Sequence, residues 1–496
     1  MNVSELKKYN MYIGGEWVPS SDHQYFESFN PATGQPWCQI AQGTKEDVEK
    51  AVKTAHDAFF SDKWADMTYT ERGHLLRKLA DLLTEHVNEL AEFETLDNGK
   101  LIREMKGQLH YMPEFLYYYA GLADKIQGET LPVDKKNMFV FSEREPLGVV
   151  AAITPWNSPL YLTFIKLAPA LVAGNTIVIK PSEHTSASIL EFVKLVEKAG
   201  FPAGVVNVIT GFGKDVGDPL TSHPLVSRIA FTGGEKTARN IVKNSSNNFA
   251  QLSLELGGKS PNIVFDDANL YNAAMGAIAG IFGATGQSCV AGSRVFIHEI
   301  AYEEFMDILL TRVNKIKIGD PMSAESEIGP VATYQQLQNI ERYVDLGKKE
   351  GAKLLTGGKR PIHMKNGWYF EPTVFEHSNH SSCIMKEEIF GPVLSVMTFK
   401  EETDVINLAN STDYGLAAGI WTNDIAKAHR ISKRVRAGIV WVNTYRAISP
   451  IAPIGGSKLS GYGREGGLES VHDYTQKKTV WINTSSETMS DPFVMR

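Results

Sequence analysis

The chain has 496 residues, of which 43% are hydrophobic, 22% charged and 10% aromatic, a globular composition with room for two to four domains of ordinary size that excludes disordered and fibrous classes. Lys plus Arg is 50 against 57 Asp plus Glu, a formal charge of −7, so nucleic acid is not an expected partner, because phosphate neutralisation needs a basic face. No run approaches the roughly 18 uninterrupted apolar residues of a membrane span, and the start MNVSELKKYNMYIGGEW has no apolar leader core, so a cytoplasmic address without a membrane partner is expected.

After a short extended start, residues up to about 125 read as helical. Thr44-Lys-Glu-Asp47 is a capping arrangement that opens a helix to about Phe60, and Thr70 precedes one long amphipathic run through Leu75, Leu76, Leu79, Leu82, Leu83, Val87, Leu90 and Phe93. LPVDKKNMFVFSER, residues 131–144, is Pro-containing and extended, and reads as an excursion from the main body. Between Leu147 and Phe265 the β-rich runs LGVVAAI, TIVIK, VVNVIT, RIAF and NIVF alternate with helical stretches, among them 162–173 and 186–199. A second alternating series, RVFIHEI, VLSVMTFK, LAAGIWT and AGIVWVN, fills residues 294–444. Such alternation means βαβ crossovers, hence parallel sheets with helices on both faces and ligands at the carboxyl ends of the strands.

Three sites at such ends carry reactive groups. Cys38, Cys289 and Cys383 form no CxxC pair, and the histidines form no HExxH, so neither a disulfide framework nor a metal site is expected. Cys289 in GQSCVAGSR follows a small-residue helical stretch, 273–286, and precedes a strand, where a thiol can act as an exposed nucleophile. A free cysteine is more often a small buried hydrophobe, so this motif alone leaves the question open. Glu255 in LELGGKSPNIV stands at a strand end beside glycines, as a general base or as an ordinary edge glutamate. Asn157 in TPWNSP follows the strand LGVVAAI, where an amide can donate to an oxyanion or simply make a turn.

With these segments on the page, TPWNSP, KPSEHT, FTGG, LELGGKSPNIV, GQSC, EEIFGPV and GGSKLSGYGREGG together, in this order and spacing, closely resemble the NAD(P)-dependent aldehyde dehydrogenase superfamily of the hydrolytic, non-acylating type. The resemblance runs from Tyr12 to about Trp481. It implies two doubly wound α/β domains, a Rossmann-like cofactor domain over 1–123 and 147–258 and a catalytic domain over 259–458, with a small β oligomerisation arm from 124–146 and 474–490. A homodimer or homotetramer follows from the arm. It implies further that the Cys289 thiolate attacks the aldehyde, that Asn157 and the Cys289 N–H hold the oxyanion, and that Glu255 activates the water that hydrolyses the thioester. Lys166 and Glu465 would form a proton path. Cofactor contacts carried over are Ile153, Trp156, Lys180, Ser182, Glu183, Phe231, Thr232, Gly233, Gly234, Leu256, Glu388 and Phe390. A carboxylate on the ribose at Glu183 favours NAD, while Lys180 leaves NADP admissible.

Two departures from the family pattern bear on function. Ala238 replaces a usual glycine after FTGG, and Ser158, Ile165, Ile448 and Ile454 stand where large rings are common. Arg446 lies on the substrate-entrance loop with Ile448 and Ile454, and a guanidinium there suits a polar or cyclic catabolic aldehyde. The rival readings are a CoA-acylating semialdehyde dehydrogenase, against which Glu255 speaks, and a cysteine-dependent esterase as a side activity.

Overall fold

The computed structural model describes residues 6–489 and 491–493; residues 1–5 of the expected cofactor segment and residue 490 of the expected arm lie outside them. Five parallel strands form the heart of the first sheet, in the order Gln251–Glu255, Val226–Thr232, Val149–Ile153, Thr176–Lys180, Val206–Val208. Antiparallel strands extend it, with Met11–Ile13 and Glu16–Val18 at one edge and Gly461–Tyr462 at the other. VVAAI and TIVIK are buried at every position, as strands covered on both faces must be. Their alternation sorts the core. Val150, Ala152, Ile177 and Ile179 pack with Leu76, Leu79, Leu109 and Phe164, while Val149, Ala151, Ile153 and Val178 pack with Val48, Val52, Ala55 and Ile241 on the opposite face.

The second sheet orders Lys353–Thr356, Thr373–Glu376, Val393–Phe399, Arg294–His298, Pro261–Val264, Ala417–Trp421 and Ile439–Val442, parallel except for the first pair. The expected α/β class holds, with one reassignment. NIVF, grouped with the first series by its apolar run, pairs instead with Arg294–His298 and Ala417–Trp421. The break between sheets falls in the loop after Glu255, and hydrophobicity alone cannot report which sheet a buried strand joins. Met138–Pro146 and Thr475–Asn483 pair antiparallel along their nine-residue lengths as a two-stranded ribbon.

Local chemistry accounts for the other differences. Thr44 and Asp47 make the expected capping box, but the next helix, Tyr69–Glu85, is capped by Thr68 with Glu71 rather than opened after Thr70. The long run also breaks at His86, and a second helix, Val87–Asn98, ends on left-handed Gly99. The stretch 162–173 belongs to a helix Pro159–Val172 that begins three residues earlier, on a proline preset for a first turn. The small-residue stretch is helical only over Leu270–Phe282. Ala284, Thr285 and Gly286 then take successive positive φ values of 56°, 55° and 70°, a sharp reversal that delivers the chain to Cys289.

Gly286 meets two constraints at once, since its backbone is left-handed and an added Cβ would lie 2.1 Å from the Gly391 carbonyl oxygen. Gly286→Ala is expected to cost about 2–5 kcal/mol, read as a fall of several degrees in the melting midpoint. Gly107, in the helix Ile102–Leu122 with nothing within 4 Å, gains about 0.5–1 kcal/mol on the same change. Equal midpoints for the two variants would contradict this account of the reversal.

Candidate active site

The chain leaves Val149–Ile153 for Thr176–Lys180 on one side and later returns to Val226–Thr232 on the other, so these neighbours flank the point where strand order reverses. A crevice opens beyond their carboxyl ends, as this topology dictates. Its outer part, about 1130 Å³, is lined by Ile153, Trp156, Lys180, Ser182, Glu183 and the segment Phe231–Gly234. The inner part, about 180 Å³, shares Trp156, Thr232, Gly233 and Gly234 and reaches Asn157, Glu255, Leu256, Cys289, Glu388 and Phe390. One continuous space therefore collects every expected cofactor residue together with Cys289, Glu255 and Asn157.

The inner part is built from both sheets. Asn157 Nδ2 donates to the Gln287 carbonyl at 2.9 Å, and Gln287 Oε1 accepts from the Ala332 N–H at 2.9 Å. Glu388 Oε1 accepts from the Gly258 N–H at 3.0 Å, and a Cβ on Gly257 would fall 2.0 Å from that carboxylate. The Trp156 and Phe390 rings meet edge-on, centroids 5.2 Å apart. Phe390 holds a left-handed φ of 56° because Gln336 Nε2 donates to the Ile389 and Phe390 carbonyls at 2.7 and 2.9 Å.

Behind the pocket, Lys166 is fully buried in an ion pair with Glu465, and its Nζ also donates to Thr232 Oγ1 at 2.6 Å. The Thr232 hydroxyl thus joins the crevice to the buried pair. Glu255 is 7% exposed and its Oε1 has no hydrogen-bond partner. Burial, then the nearby Glu465 charge, holds its carboxyl well above the usual range, with Lys166 and Arg464 opposing. Burial chiefly, then Glu255 and Glu388, pushes the Cys289 thiol up to about 12. Burial pushes Glu388 up to about 7. Glu255 and the Cys289 thiol are thus held toward their protonated forms, while Glu388, near 7, is divided between its two forms at neutral pH.

The cleft fits a dinucleotide. Gly233 and Gly234 precede the helix Glu235–Asn244, whose N-terminal N–H groups suit a pyrophosphate, and a Cβ on Gly233 would fall 2.5 Å from the Phe231 ring. Lys180 Nζ donates to the Pro181 carbonyl at 2.9 Å and lies 3.9 Å from Glu183. Ala238 is 2% exposed and belongs to the core cluster, and it is absent from the crevice lining that its helix supplies through Thr237, Asn240 and Ile241, so its methyl leaves that approach open. After Val206–Val208 the chain makes a π-helical turn, Gly213–Gly217, whose end residues Gly213 and Gly217 line the outer cleft.

The three expected substrate residues sit outside this crevice. Arg446, at φ 63°, donates Nη1 to the Ala279 carbonyl at 3.2 Å. Ile448 is 38% exposed, and Ile454 pairs its backbone with Glu465. Sequence reasoning missed Gln287, although it stands in GQSC, and Gln336, which no motif marks. Among the described residues no group of three or more His, Cys, Asp or Glu is placed to hold a metal, and no helix is long and apolar enough to cross a membrane.

Residues 17–480 match the profile of the aldehyde dehydrogenase family. A protein of Acinetobacter baylyi named (Z)-2-((N-methylformamido)methylene)-5-hydroxybutyrolactone dehydrogenase is 50% identical over 99% of this chain and 100% of its own length. The betaine aldehyde dehydrogenase of Staphylococcus aureus, solved in complex with NAD+, superposes with TM-score 0.96 at 40% identity, covering 99% of this chain and 98% of that one. An aldehyde dehydrogenase from Bacillus cereus, also solved with NAD+, gives TM-score 0.94 at 43% identity over 96% and 97%.

With the thiol pushed up to about 12, alkylation of Cys289 by iodoacetamide in the cofactor-free protein should rise roughly tenfold per pH unit from pH 7 to 9 without levelling, because only the thiolate reacts. The Cys289→Ser variant supplies the blank. A plateau near neutral pH would show a thiolate already formed and contradict the electrostatics described.

Proposed function

Because this chain belongs to the aldehyde dehydrogenase family, we propose that the residues gathered in the crevice oxidise an aldehyde to its acid with Cys289 as nucleophile. The enzyme is an NAD(P)-dependent aldehyde dehydrogenase. The observation that carries the assignment of roles is the convergence of Cys289, Asn157 and Glu255 on one inner pocket.

The Cys289 thiol gives its proton to solvent in the crevice as Sγ bonds to the aldehyde carbon. Negative charge passes to the carbonyl oxygen, where the Cys289 N–H and Asn157 receive it. The Asn157 amide carries two hydrogens and spends one on Gln287, so the other serves the oxyanion; such a donor contributes roughly 2.7–4 kcal/mol. NAD(P)+, when bound, supplies the acceptor for the hydride that leaves this carbon. The product on Cys289 is a thioester. Glu255, once ionised, takes a proton from water, whose oxygen bonds to the thioester carbon as the C–S bond breaks, and the acid departs. A buried carboxylate with a raised pKa holds that proton firmly, and the Thr232–Lys166–Glu465 chain gives it a way out.

Glu183 in the outer cleft favours NAD. The substrate class is a polar or cyclic aldehyde, supported by the hydroxylactone in the name of the Acinetobacter relative. Residues 1–123 and 147–258 form the cofactor domain, 259–458 the catalytic domain, and 124–146 with 474–490 the arm; the change of sheet after Glu255 supports the division. The arm leaves Phe139 and Trp481 about half exposed, which supports a homodimer or a dimer of dimers.

Glu255→Gln should release about one NADH per active site in a burst, then turn over at least about a hundredfold more slowly than the parent, because only hydrolysis is impaired. Cys289→Ser should give no burst. A Glu255→Gln enzyme with the parental steady rate would remove Glu255 from its role. Light scattering should report two or four copies per particle, and a stable monomer would contradict the arm assignment.

A further inference from the structure

Three glycines that the reaction above does not use stand around one aromatic ring. Gly280 lies in the helix Leu270–Phe282, Gly292 in the loop after Cys289, and Gly419 in the strand Ala417–Trp421. Glycine weakens the interior of a helix or a strand and marks a place where another group comes close. Here that group is Tyr445. A Cβ on Gly280, Gly292 or Gly419 would fall 3.1, 3.1 or 2.7 Å from its ring, and the Trp441 ring meets it with centroids 4.8 Å apart. The chain enters this slot from a fixed turn: Asn443 takes a left-handed φ of 53°, and its side-chain amide exchanges hydrogen bonds of 2.9 and 3.1 Å with the Thr422 backbone. On the other side, Arg446 is tied to the Ala279 carbonyl.

What the slot delivers is a hydroxyl. Tyr445 Oη donates to the Val290 carbonyl at 2.9 Å. Cys289 and Val290 are the central residues of a turn closed by the Ala291 N–H on the Ser288 carbonyl at 3.0 Å. Burial first, then Glu255 and Glu388, opposes a thiolate on Sγ, whereas the N–H groups of Val290 and Cys289 favour it. Val290 is therefore held at both ends, its N–H toward the sulfur and its carbonyl on Tyr445. A turn free to rock would swing those N–H groups off the sulfur, and the Cys289 N–H is also the one that receives the oxyanion. Tyr445 lines neither part of the crevice, so its influence passes through the Val290 peptide and not through contact with the aldehyde.

Resting on the reading of Cys289 as nucleophile, we propose that Tyr445 is a positioning residue for it: the hydroxyl holds the Cys289–Val290 turn by the Val290 carbonyl and so keeps both N–H groups on the sulfur.

Tyr445→Phe removes the hydroxyl and keeps the ring in its slot, which makes it the test. In the cofactor-free protein at pH 8, iodoacetamide should alkylate Cys289 of this variant about three- to tenfold more slowly than in the parent, the scale of one neutral hydrogen bond. Cys383, also half-buried, is read from the same digest and should keep its parental rate. The NADH burst with hexanal should slow by a similar factor, while KM for NAD stays as in the parent because the hydroxyl lies outside the cofactor cleft. A Cys289 rate within about twofold of the parent overturns the proposal, as does an equal fall at Cys289 and Cys383, the mark of general loosening. A burst that persists in Cys289→Ser would remove the nucleophile reading and this one with it. A burst lost in Cys289→Ser, with Cys289 alkylation unchanged in Tyr445→Phe, would leave the nucleophile standing and remove the positioning role alone.

Discussion

The hydrogen bond from Asn157 Nδ2 to the Gln287 carbonyl, 2.9 Å long, is the contact on which the chemistry depends. Asn157 belongs to the turn after Val149–Ile153 in the first sheet, and Gln287 to the reversal that feeds Arg294–His298 in the second. Neither sheet holds a complete site. The amide would be free to rotate without Gln287, and Cys289 would have no fixed donor opposite it. The Gly258 N–H on Glu388 makes a parallel tie on the other side of the pocket, so the two units are registered at two points. Preorganised donors of this kind need no rearrangement as charge develops, which is why they outweigh stronger but mobile groups.

Burial is the second constraint, and it acts against the groups it shelters. Glu255, Glu388 and Cys289 are each held toward the neutral form by desolvation before any neighbour is counted, although Cys289 and Glu388 keep part of their surface open to the crevice. A pocket of permanently charged carboxylates would repel a thiolate. A pocket of neutral ones permits the thiolate to form transiently, provided that the proton has a path. The ion pair of Lys166 and Glu465 supplies fixed charge behind the pocket, and Thr232 brings a hydroxyl from that pair to the crevice. In the proposed reaction this arrangement would separate proton movement in space from carbon chemistry, one behind the sheet edge and the other before it.

Much of this was legible in the residues. Continuous apolar runs such as VVAAI and TIVIK announce parallel strands, and strand-end segments such as TPWNSP and FTGG announce what lines the crevice, because both signals are local. What escaped is non-local. NIVF has the same composition as the strands of the first sheet, and only its neighbours show that it belongs to the second. Gln336 approaches from a helix, Tyr334–Lys349, whose sequence gives no sign that its amide will hold Phe390 in a left-handed turn. Lys100 is a lone lysine after a glycine, and it donates to a serine 58 positions away. The break at His86 was missed for a different reason, since an amphipathic period continues across two helices that share one buried face.

Arg446 has a structural tie as well as a charge. Its loop position suggested a grip on substrate, yet its guanidinium donates to Ala279 and occupies the space over Gly283, where a Cβ would fall 2.4 Å from Nη1. A side chain anchored to backbone in this way shapes the wall of an entrance more than it reaches for a ligand. Its charge still counts, because together with Lys100 it offsets Glu94 and Glu104. The entrance is therefore polar without being strongly charged.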